Sequence, residues 1–426
     1  MLMPLLSLGN YTPYKITAYN MHERNFLYQL HVKNPKVIFI NGVTNEAAIP
    51  MDVIVRTDTV QMFEEKLHSF DIQFMHVPQI SIEPTLSKKI ISPDYLSIEF
   101  YDWENILSWI NSYAKKSSTF KKTVIAKTFE KRDIFILNLS KGKKKPIVFI
   151  VGGEDGKDWM SSALILSLFT KLLDRKNSLN TLLTKFDFYL LPILNPDGFA
   201  FSKKQDRLWS KNRKVFSTQK KCQEGNVAVG VDIARNWFLQ KSSRMIEECN
   251  SVYIGHRSLS EEESQALSYV LNSLALDMIA FINIKGFGQY ITIPYGHNDD
   301  ITNNHDIVME IVRSTCSKIL EKHNITYYYG RTANYFYNFS GNMADWVKLK
   351  LNTPIVYTVY LEDADTILPY SAQIQNLKTR LFTILTESLL LSQDIYGPLF
   401  NSQENMFLCY IKNIYIVFIY MYYKLL

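Results

Sequence analysis

The chain has 426 residues, of which 47% are hydrophobic and 13% are aromatic, and this composition excludes a disordered or fibrous protein. Its length leaves room for more than one domain. The formal net charge of +6 is spread along the chain in short runs such as KGKKK at 141–145. Such runs are typical of solvated loops, so no nucleic-acid partner is predicted.

Residues 1–80 are predicted to form a small α+β domain. The order of patterns is β-α-β-β-α-β, which is typical of an antiparallel open sandwich. The strand patterns lie at 14–19, 36–40, 51–55 and 71–77, and the helical patterns lie at 23–32 and 58–70. Residues 81–94 contain two prolines and the dibasic pair Lys88-Lys89, which predicts a linker.

Residues 95–400 are predicted to form a second, larger domain. Helical segments alternate there with short apolar runs that are typical of buried strands. These runs lie at 134–137, 146–151, 186–191, 280–284 and 355–361. The alternation predicts an α/β domain with a partly parallel sheet.

Several features bear on the cellular compartment. Cys222 and Cys249 flank a loop-rich segment and could form one disulfide, which would leave Cys316 and Cys409 unpaired. The apolar residues 1–8 lack a basic region and are too short for a complete signal peptide. Four Asn-x-Ser/Thr sequons, the acceptor motif for N-glycans, begin at Asn10, Asn138, Asn324 and Asn338.

The apolar tail at 401–426 differs in composition from the rest of the chain. Its stretch at 406–426 is near the lower length limit for crossing a bilayer, and Lys412 interrupts it. Three interpretations remain open, namely a membrane anchor, an added packed segment, and translated sequence outside the ancestral gene. A membrane partner is therefore undecided.

Five motifs of the second domain occur in a fixed order. They are NPDGF at 195–199, DRLWSKNR at 206–213, GVDIARNW at 230–237, IPYG at 293–296 and SGNMADW at 340–346. In order and spacing they resemble the zinc metallocarboxypeptidases of the carboxypeptidase A/B group. The resemblance extends over residues 14–400, because the first domain is similar to the activation propeptide of that group. It implies a carboxypeptidase-like α/β/α domain with a mixed sheet, a secreted protein, and removal of single residues from peptide C-termini.

The same resemblance locates the positions of the catalytic groups. The family's zinc-binding turn reads Gly-Gly-x-His-x-Arg-Glu-Trp, and this chain has VGGEDGKDW at 151–159. The zinc-ligand positions are thus Asp155 and Asp158, with Lys285 at the position of the third ligand. Tyr360 stands where the family has its glutamate base. Ser210 stands where an arginine polarises the scissile carbonyl.

These exchanges predict a divergent member that lacks zinc and peptidase activity. A lysine ammonium has no lone pair and repels a divalent cation. A tyrosine with a usual pKa of about 10 does not replace a carboxylate base at neutral pH. No cofactor is therefore predicted, although Asp155 and Asp158 leave open a hard cation such as calcium.

Part of the family's substrate-binding set is retained. Arg235 and the tyrosine at Tyr337 match groups that clamp the substrate's terminal carboxylate, and Lys157 replaces an arginine that helps to bind peptide. An asparagine of the clamp has become Ala234, and Ala344 near the floor of the specificity pocket offers no charge. The set predicts a pocket for an apolar peptide C-terminus or a protein partner. The alternative is that Arg235 and Tyr337 only pack or pair internally.

The leading hypothesis is a pseudoenzyme that acts as a binding or regulatory protein. The alternatives are an active zinc carboxypeptidase and a membrane-tethered interaction protein. Two structural expectations follow. The first domain should pack over the Asp155 and Lys285 region through a face of its sheet. The Lys285 nitrogen should lie within about 4 Å of an Asp155 or Asp158 carboxylate oxygen, roughly where zinc lies in the family.

Overall fold

The computed structural model describes residues 11–40, 42–77, 102–114, 119–222, 225–237, 246–286, 288–336, 340–361 and 374–401. The predicted linker at 81–94, the tail at 402–426 and Tyr337 lie outside the described residues. Two sheets organise the rest, one of four strands and one of eight.

The first sheet belongs to residues 11–77 and has the predicted β-α-β-β-α-β order. Its elements are β1 (Tyr11–Thr17), α1 (Met21–Lys33), β2 (Val37–Phe39), β3 (Pro50–Arg56), α2 (Val60–Ser69) and β4 (Gln73–His76). The strands lie in the order β2-β3-β1-β4 and all pair antiparallel. Side chains along β3 point alternately to the two faces of the sheet. Val53 and Val55 pack with the helices, while Ile54 packs on the opposite side.

The second unit contains eight strands and the remaining helices. Its strands are β5 (Phe120–Lys127), β6 (Asp133–Leu139), β7 (Ile147–Val151), β8 (Asp187–Leu191), β9 (Met278–Lys285), β10 (Tyr290–Ile293), β11 (Tyr328–Arg331) and β12 (Ile355–Tyr360). Its helices are α3 (Trp103–Ala114), α4 (Trp159–Leu173), α5 (Pro196–Lys204), α6 (Glu262–Leu274), α7 (His305–His323), α8 (Thr332–Tyr335), α9 (Met343–Leu351) and α10 (Ile374–Asn401). The strand order is β11-β10-β12-β9-β7-β8-β6-β5.

The eight-stranded sheet is mixed and lies between two layers of helices. Strands β12, β9, β7 and β8 are parallel, whereas β5, β6 and β10 each pair antiparallel with a neighbour. Side chains of α3, α4, α7 and α10 pack on one face, and those of α6 and α9 on the other. The predicted α/β/α fold with a mixed sheet is confirmed.

Three strands were not predicted from the sequence. β10 and β11 have only four residues each, which is too short for a period of two to be distinguished from chance. β5 is an edge strand with the sequence FKKTVIAK, and its lysines conceal the apolar pattern.

The centre of the sheet positions the candidate site. β7, β9 and β12 are neighbouring parallel strands, so their carboxyl ends meet at one edge. Tyr360 pairs with Lys285 in the β12–β9 register, and Val151 pairs with Asn283 in the β7–β9 register. The turn that follows Val151 is therefore next to the ends of both other strands.

Candidate active site

The turn after β7 is held by backbone contacts. Gly153 has a positive φ of 61°, and a Cβ there would lie 2.7 Å from the Ser162 Oγ, so a larger residue would be strained. The Ser161 hydroxyl accepts a hydrogen bond from the Gly153 N–H at 2.9 Å. The Asp158 carboxylate accepts from the Ser161 N–H and the Gly286 N–H, both at 3.0 Å. Asp158 thus caps α4 and joins the turn to the end of β9.

Lys285, the last residue of β9, extends its ammonium to this turn. Its Nζ lies 3.2 Å from the Asp155 Oδ2, which confirms the predicted ion pair. It also forms an ion pair with Glu154, a residue that was not predicted to belong to the site. The exposed fractions of the side chains are 11% for Lys285, 3% for Glu154 and 20% for Asp155. The three charged groups are therefore largely buried.

The two carboxylates determine the charge state of the lysine. Burial alone would lower the pKa of Lys285, but the negative charges of Glu154 and Asp155 outweigh burial and raise this pKa well above its usual value. Burial would likewise raise the pKa of Asp155, yet the ammonium of Lys285 holds it below its usual value. The centre is an ammonium between two carboxylates. Asn283 completes it by donating to the Glu154 Oε1 at 3.1 Å.

Tyr360 lies beside this centre, at the end of β12. It is buried and packs against Phe336 with ring centroids 4.9 Å apart. Burial raises the pKa of the Tyr360 phenol, so the group stays neutral near pH 7. Ser210 also lines the cleft, and its backbone oxygen accepts hydrogen bonds from the Gly156 N–H at 2.9 Å and the Asn195 Nδ2 at 3.0 Å.

The predicted binding residues Arg235 and Lys157 line the same cavity. Arg235 ends a 3₁₀ helix at Ile233–Arg235, and its Nε lies 3.3 Å from the Asp232 Oδ2. Burial, followed by the charge of Asp155, raises the pKa of Asp232 to about 7. Burial lowers the pKa of Lys157. The structure thus brings together Arg235, Lys157, Asp155, Asp158, Lys285, Tyr360 and Ser210, while Tyr337 lies outside the described residues.

The first unit covers the cleft. A cavity of about 80 Å³ is lined on one side by His31, Phe39, Ile40 and Gly42 and on the other by the charged residues of the second unit. By its volume it has room for a few water molecules. The predicted packing of the first unit over the Asp155 and Lys285 region is confirmed.

Apolar and polar contacts hold the two units together. Ile38 of β2 and Ile54 of β3 pack with Leu208 of the second unit. They project from the face of the four-stranded sheet opposite its helices, as expected. Thr44 donates its hydroxyl to the Tyr335 carbonyl at 2.9 Å, and the Asn45 Nδ2 donates to the Ala333 carbonyl at 2.8 Å. These contacts hold the first unit against the cleft.

With this geometry in view, the comparisons with known proteins identify the family. The sequence profile described as zinc carboxypeptidase matches residues 106–383, which is more than half of the chain. The chain belongs to the zinc carboxypeptidase family. It is 25% identical over 362 residues to zinc carboxypeptidase A 1 from Anopheles gambiae, covering 83% of this chain and 82% of the relative. It is 26% identical over 274 residues to human carboxypeptidase B, covering 62% and 64%.

Solved structures show the carboxypeptidase fold for nearly the whole described chain. Carboxypeptidase A from Helicoverpa armigera aligns with a TM-score of 0.78 and 20% identity, over 90% of this chain and 97% of that one. Thrombin activatable fibrinolysis inhibitor aligns with a TM-score of 0.77 and 21% identity, over 90% and 99%.

Three residues at the site of this zinc carboxypeptidase family member were not predicted from the sequence, namely Glu154, Asp232 and His31. Glu154 was passed over because its position in the turn does not correspond to any of the family's catalytic groups. Asp232 precedes the short helix that carries Arg235, and an aspartate before a helix is a recognisable capping signal. His31 lies in α1, and no local pattern links that helix to the cleft.

Proposed function

We propose that this chain is a member of the zinc carboxypeptidase family that neither binds a catalytic zinc nor hydrolyses peptides. The supporting observation is the position of the Lys285 ammonium between Glu154 and Asp155. In this proposal the Lys285 ammonium takes the place of the zinc ion of the family. Glu154 supports the exchange, because its buried carboxylate pairs with the Lys285 ammonium alongside that of Asp155.

The residues at the proposed ligand positions do not fit zinc. Catalytic zinc is bound by imidazole, thiolate or carboxylate groups with one open position. Here one position holds an ammonium, and the Asp158 carboxylate already accepts two backbone hydrogen bonds. Among the described residues, the acids, histidines and cysteines close enough to share an ion are Glu261, Glu262 and Glu263. They lie at the start of α6 and do not line the cleft.

The groups that would act beside a metal are also absent from the proposed site. A neutral phenol at Tyr360 does not take a proton from water near pH 7. The Ser210 side chain carries no charge to stabilise a developing oxyanion, whereas the family has an arginine at this position. We therefore propose that the cleft binds rather than cleaves.

We propose a peptide C-terminus or a protein partner as the ligand. Arg235 and Lys157 line the cavity and would attract a carboxylate. Arg235 is already paired with Asp232, so a ligand would have to replace that pair. The first unit occupies the entrance, and binding would accordingly be gated by its movement.

An extracellular location is part of the proposal. Cys222 and Cys249 form the predicted disulfide, with sulfurs 2.10 Å apart, and disulfides persist in oxidising compartments. Cys316 is a buried thiol, and Cys409 lies outside the described residues. The alternative of a membrane tether depends on the tail at 406–426, which is also outside them. In the portion of the chain that the structure describes, every helix is too short or too polar to cross a bilayer.

The deciding experiment measures metal content and hydrolysis together. The purified chain, before and after trypsin treatment, is analysed for zinc and tested on peptides with varied C-terminal residues, with and without added zinc. Human carboxypeptidase B serves as the positive control. We expect less than stoichiometric zinc and no release of C-terminal residues. Zinc-dependent hydrolysis would instead support the alternative of an active carboxypeptidase.

A further inference from the structure

Among the sequons, Asn324-Ile-Thr326 lies at a surface that can carry a large modification. Asn324 follows α7 directly and caps its C-terminus in the left-handed conformation, with φ 53°. Both Asn324 and Thr326 are exposed. The Asn324 side chain makes no hydrogen bond to any other described residue. Its amide group is therefore available without loss of a structural contact.

The sequon at Asn138 lies in a very different environment. Asn138 is a half-buried residue of β6, and both neighbouring strands pair with it, at Lys121 in β5 and Tyr189 in β8. Its side chain lies close to the Tyr189 hydroxyl. A glycan on Asn138 would have to project from the central strand of three paired strands. Asn10 and Asn338 lie outside the described residues.

We propose that Asn324 is an N-glycosylation site of this protein. The proposal rests on the extracellular location proposed above. In the reaction the Asn324 Nδ2 forms a bond to the anomeric carbon of an oligosaccharide carried on a polyprenyl diphosphate. The bond from that carbon to the diphosphate oxygen breaks, and Nδ2 loses one proton. The Thr326 hydroxyl completes the motif that the transferase recognises.

The position suggests what the glycan does. Asn324 precedes β11 (Tyr328–Arg331), which ends the strand order of the eight-stranded sheet. Tyr328 is 51% exposed on that strand. An edge strand can offer backbone groups to other chains, although the Tyr335 hydroxyl already donates to the Tyr329 carbonyl of β11 at 2.8 Å. A hydrated glycan attached a few residues away would cover this edge.

The test uses the full chain expressed in insect cells behind an added secretion signal, so that the chain meets the transferase whether or not it is exported naturally. Asn324→Gln and Thr326→Ala remove the sequon, Thr326→Ser preserves it, and Asn138→Gln is the matched control. Total protein from cells and medium is digested with peptide N-glycosidase F in heavy-oxygen water. Glycosylated asparagines are then identified as labelled aspartates by mass spectrometry.

We expect label at Asn324 in the wild type, in Thr326→Ser and in Asn138→Gln, and none in the other two variants. Absence of label at Asn324 in the wild type would overturn the proposal. Label at Asn138 of the folded protein would overturn the structural argument that separates the two sites. The readout does not depend on zinc or hydrolysis, so it is independent of the enzymatic part of the proposed function. A parallel expression without the added signal tests natural export separately.

Discussion

Lys285 and Glu154 form an ion pair in which both side chains are nearly buried, at 11% and 3% exposure. The second carboxylate oxygen of Glu154, Oε2, has no hydrogen-bond partner among the described residues. Its charge is thus compensated chiefly by Lys285 and by the amide of Asn283. A buried carboxylate that loses its cation is costly, so the two residues should depend on each other for stability.

Replacing Lys285 by methionine should lower the free energy of unfolding by about 3–5 kcal/mol, the usual cost of breaking a buried pair on one side. The reason is that Glu154 and Asp155 would then face each other without the ammonium. Urea unfolding followed by circular dichroism measures the change. Lys144→Met is the matched control, because Lys144 is 67% exposed in its ion pair with Asp277 and should contribute little.

A double variant separates the pair from general packing effects. Glu154→Gln combined with Lys285→Met removes both charges, so its destabilisation should be smaller than the sum of the single variants by about 0.5–3 kcal/mol. Strict additivity, or a loss below about 1 kcal/mol for Lys285→Met alone, would contradict a coupled buried pair.

The sequence could locate Lys285 and Asp155 but not the whole centre. Their proximity is implied by the resemblance, which places both at zinc-ligand positions of the family, and it agrees with parallel strands whose carboxyl ends share an edge. Asp158 was predicted as an alternative ion-pair partner of Lys285, yet its carboxylate caps α4. Its position just before a helix already indicates this capping role. Glu154 could not be predicted, because the direction of a side chain in a turn depends on φ and ψ and not on spacing. The covering of the cleft was predictable only through the resemblance, since contacts such as Thr44 with Tyr335 join distant parts of the chain.

Leu208→Asp should loosen the first unit from the cleft without unfolding the second. The substitution places a carboxylate in the buried apolar cluster with Ile38 and Ile54, where a charge is costly. Hydrogen exchange monitored by mass spectrometry should therefore accelerate at residues 36–46 and 332–336, while β7 and β9 stay protected.

Leu276→Asp is the control for that experiment, because Leu276 is 69% exposed and tolerates a charge. Its exchange profile should match the wild type. If Leu208→Asp also left residues 36–46 unchanged, the contact between the units would not stabilise the closed cleft.

Glu263 should make stability depend on pH. Burial, together with the charge of Glu261, raises its pKa from 4.5 to about 8. The folded chain therefore holds a proton that the unfolded chain has released between these values, and stability falls as pH rises through this window. Glu263→Gln stays neutral and keeps an oxygen for the Asn212 amide. This substitution should therefore remove a decline of a few kcal/mol in the free energy of unfolding as pH rises.

Unfolding curves at several pH values test this expectation. The difference in unfolding free energy between Glu263→Gln and the wild type should grow in favour of the variant from pH 4.5 to about 8 and then level off. The exposed neighbour Glu262, changed to glutamine, should leave the wild-type profile intact. Parallel profiles for the wild type and Glu263→Gln would show that the carboxyl ionises normally.

Lys285→His alone should yield neither stoichiometric zinc nor peptidase activity. The new imidazole supplies one ligand, but Asp155 and Asp158 remain, and the Asp158 carboxylate is held by the Ser161 and Gly286 N–H groups. The variant also leaves Glu154 without its cation, so circular dichroism must first establish that it folds.

The triple variant Asp155→His, Asp158→Glu and Lys285→His separates metal binding from catalysis. It restores a donor set of two imidazoles and one carboxylate, which suits zinc, so its zinc content should rise well above that of the wild type. Hydrolysis should still be absent, because Tyr360 remains neutral at pH 7 and Ser210 provides no cation for the oxyanion. Elemental analysis and a peptide-release assay on the same sample measure both quantities. Hydrolysis by the single variant would show that the base and the electrophile come from other residues, and the proposed loss of catalysis would then be wrong.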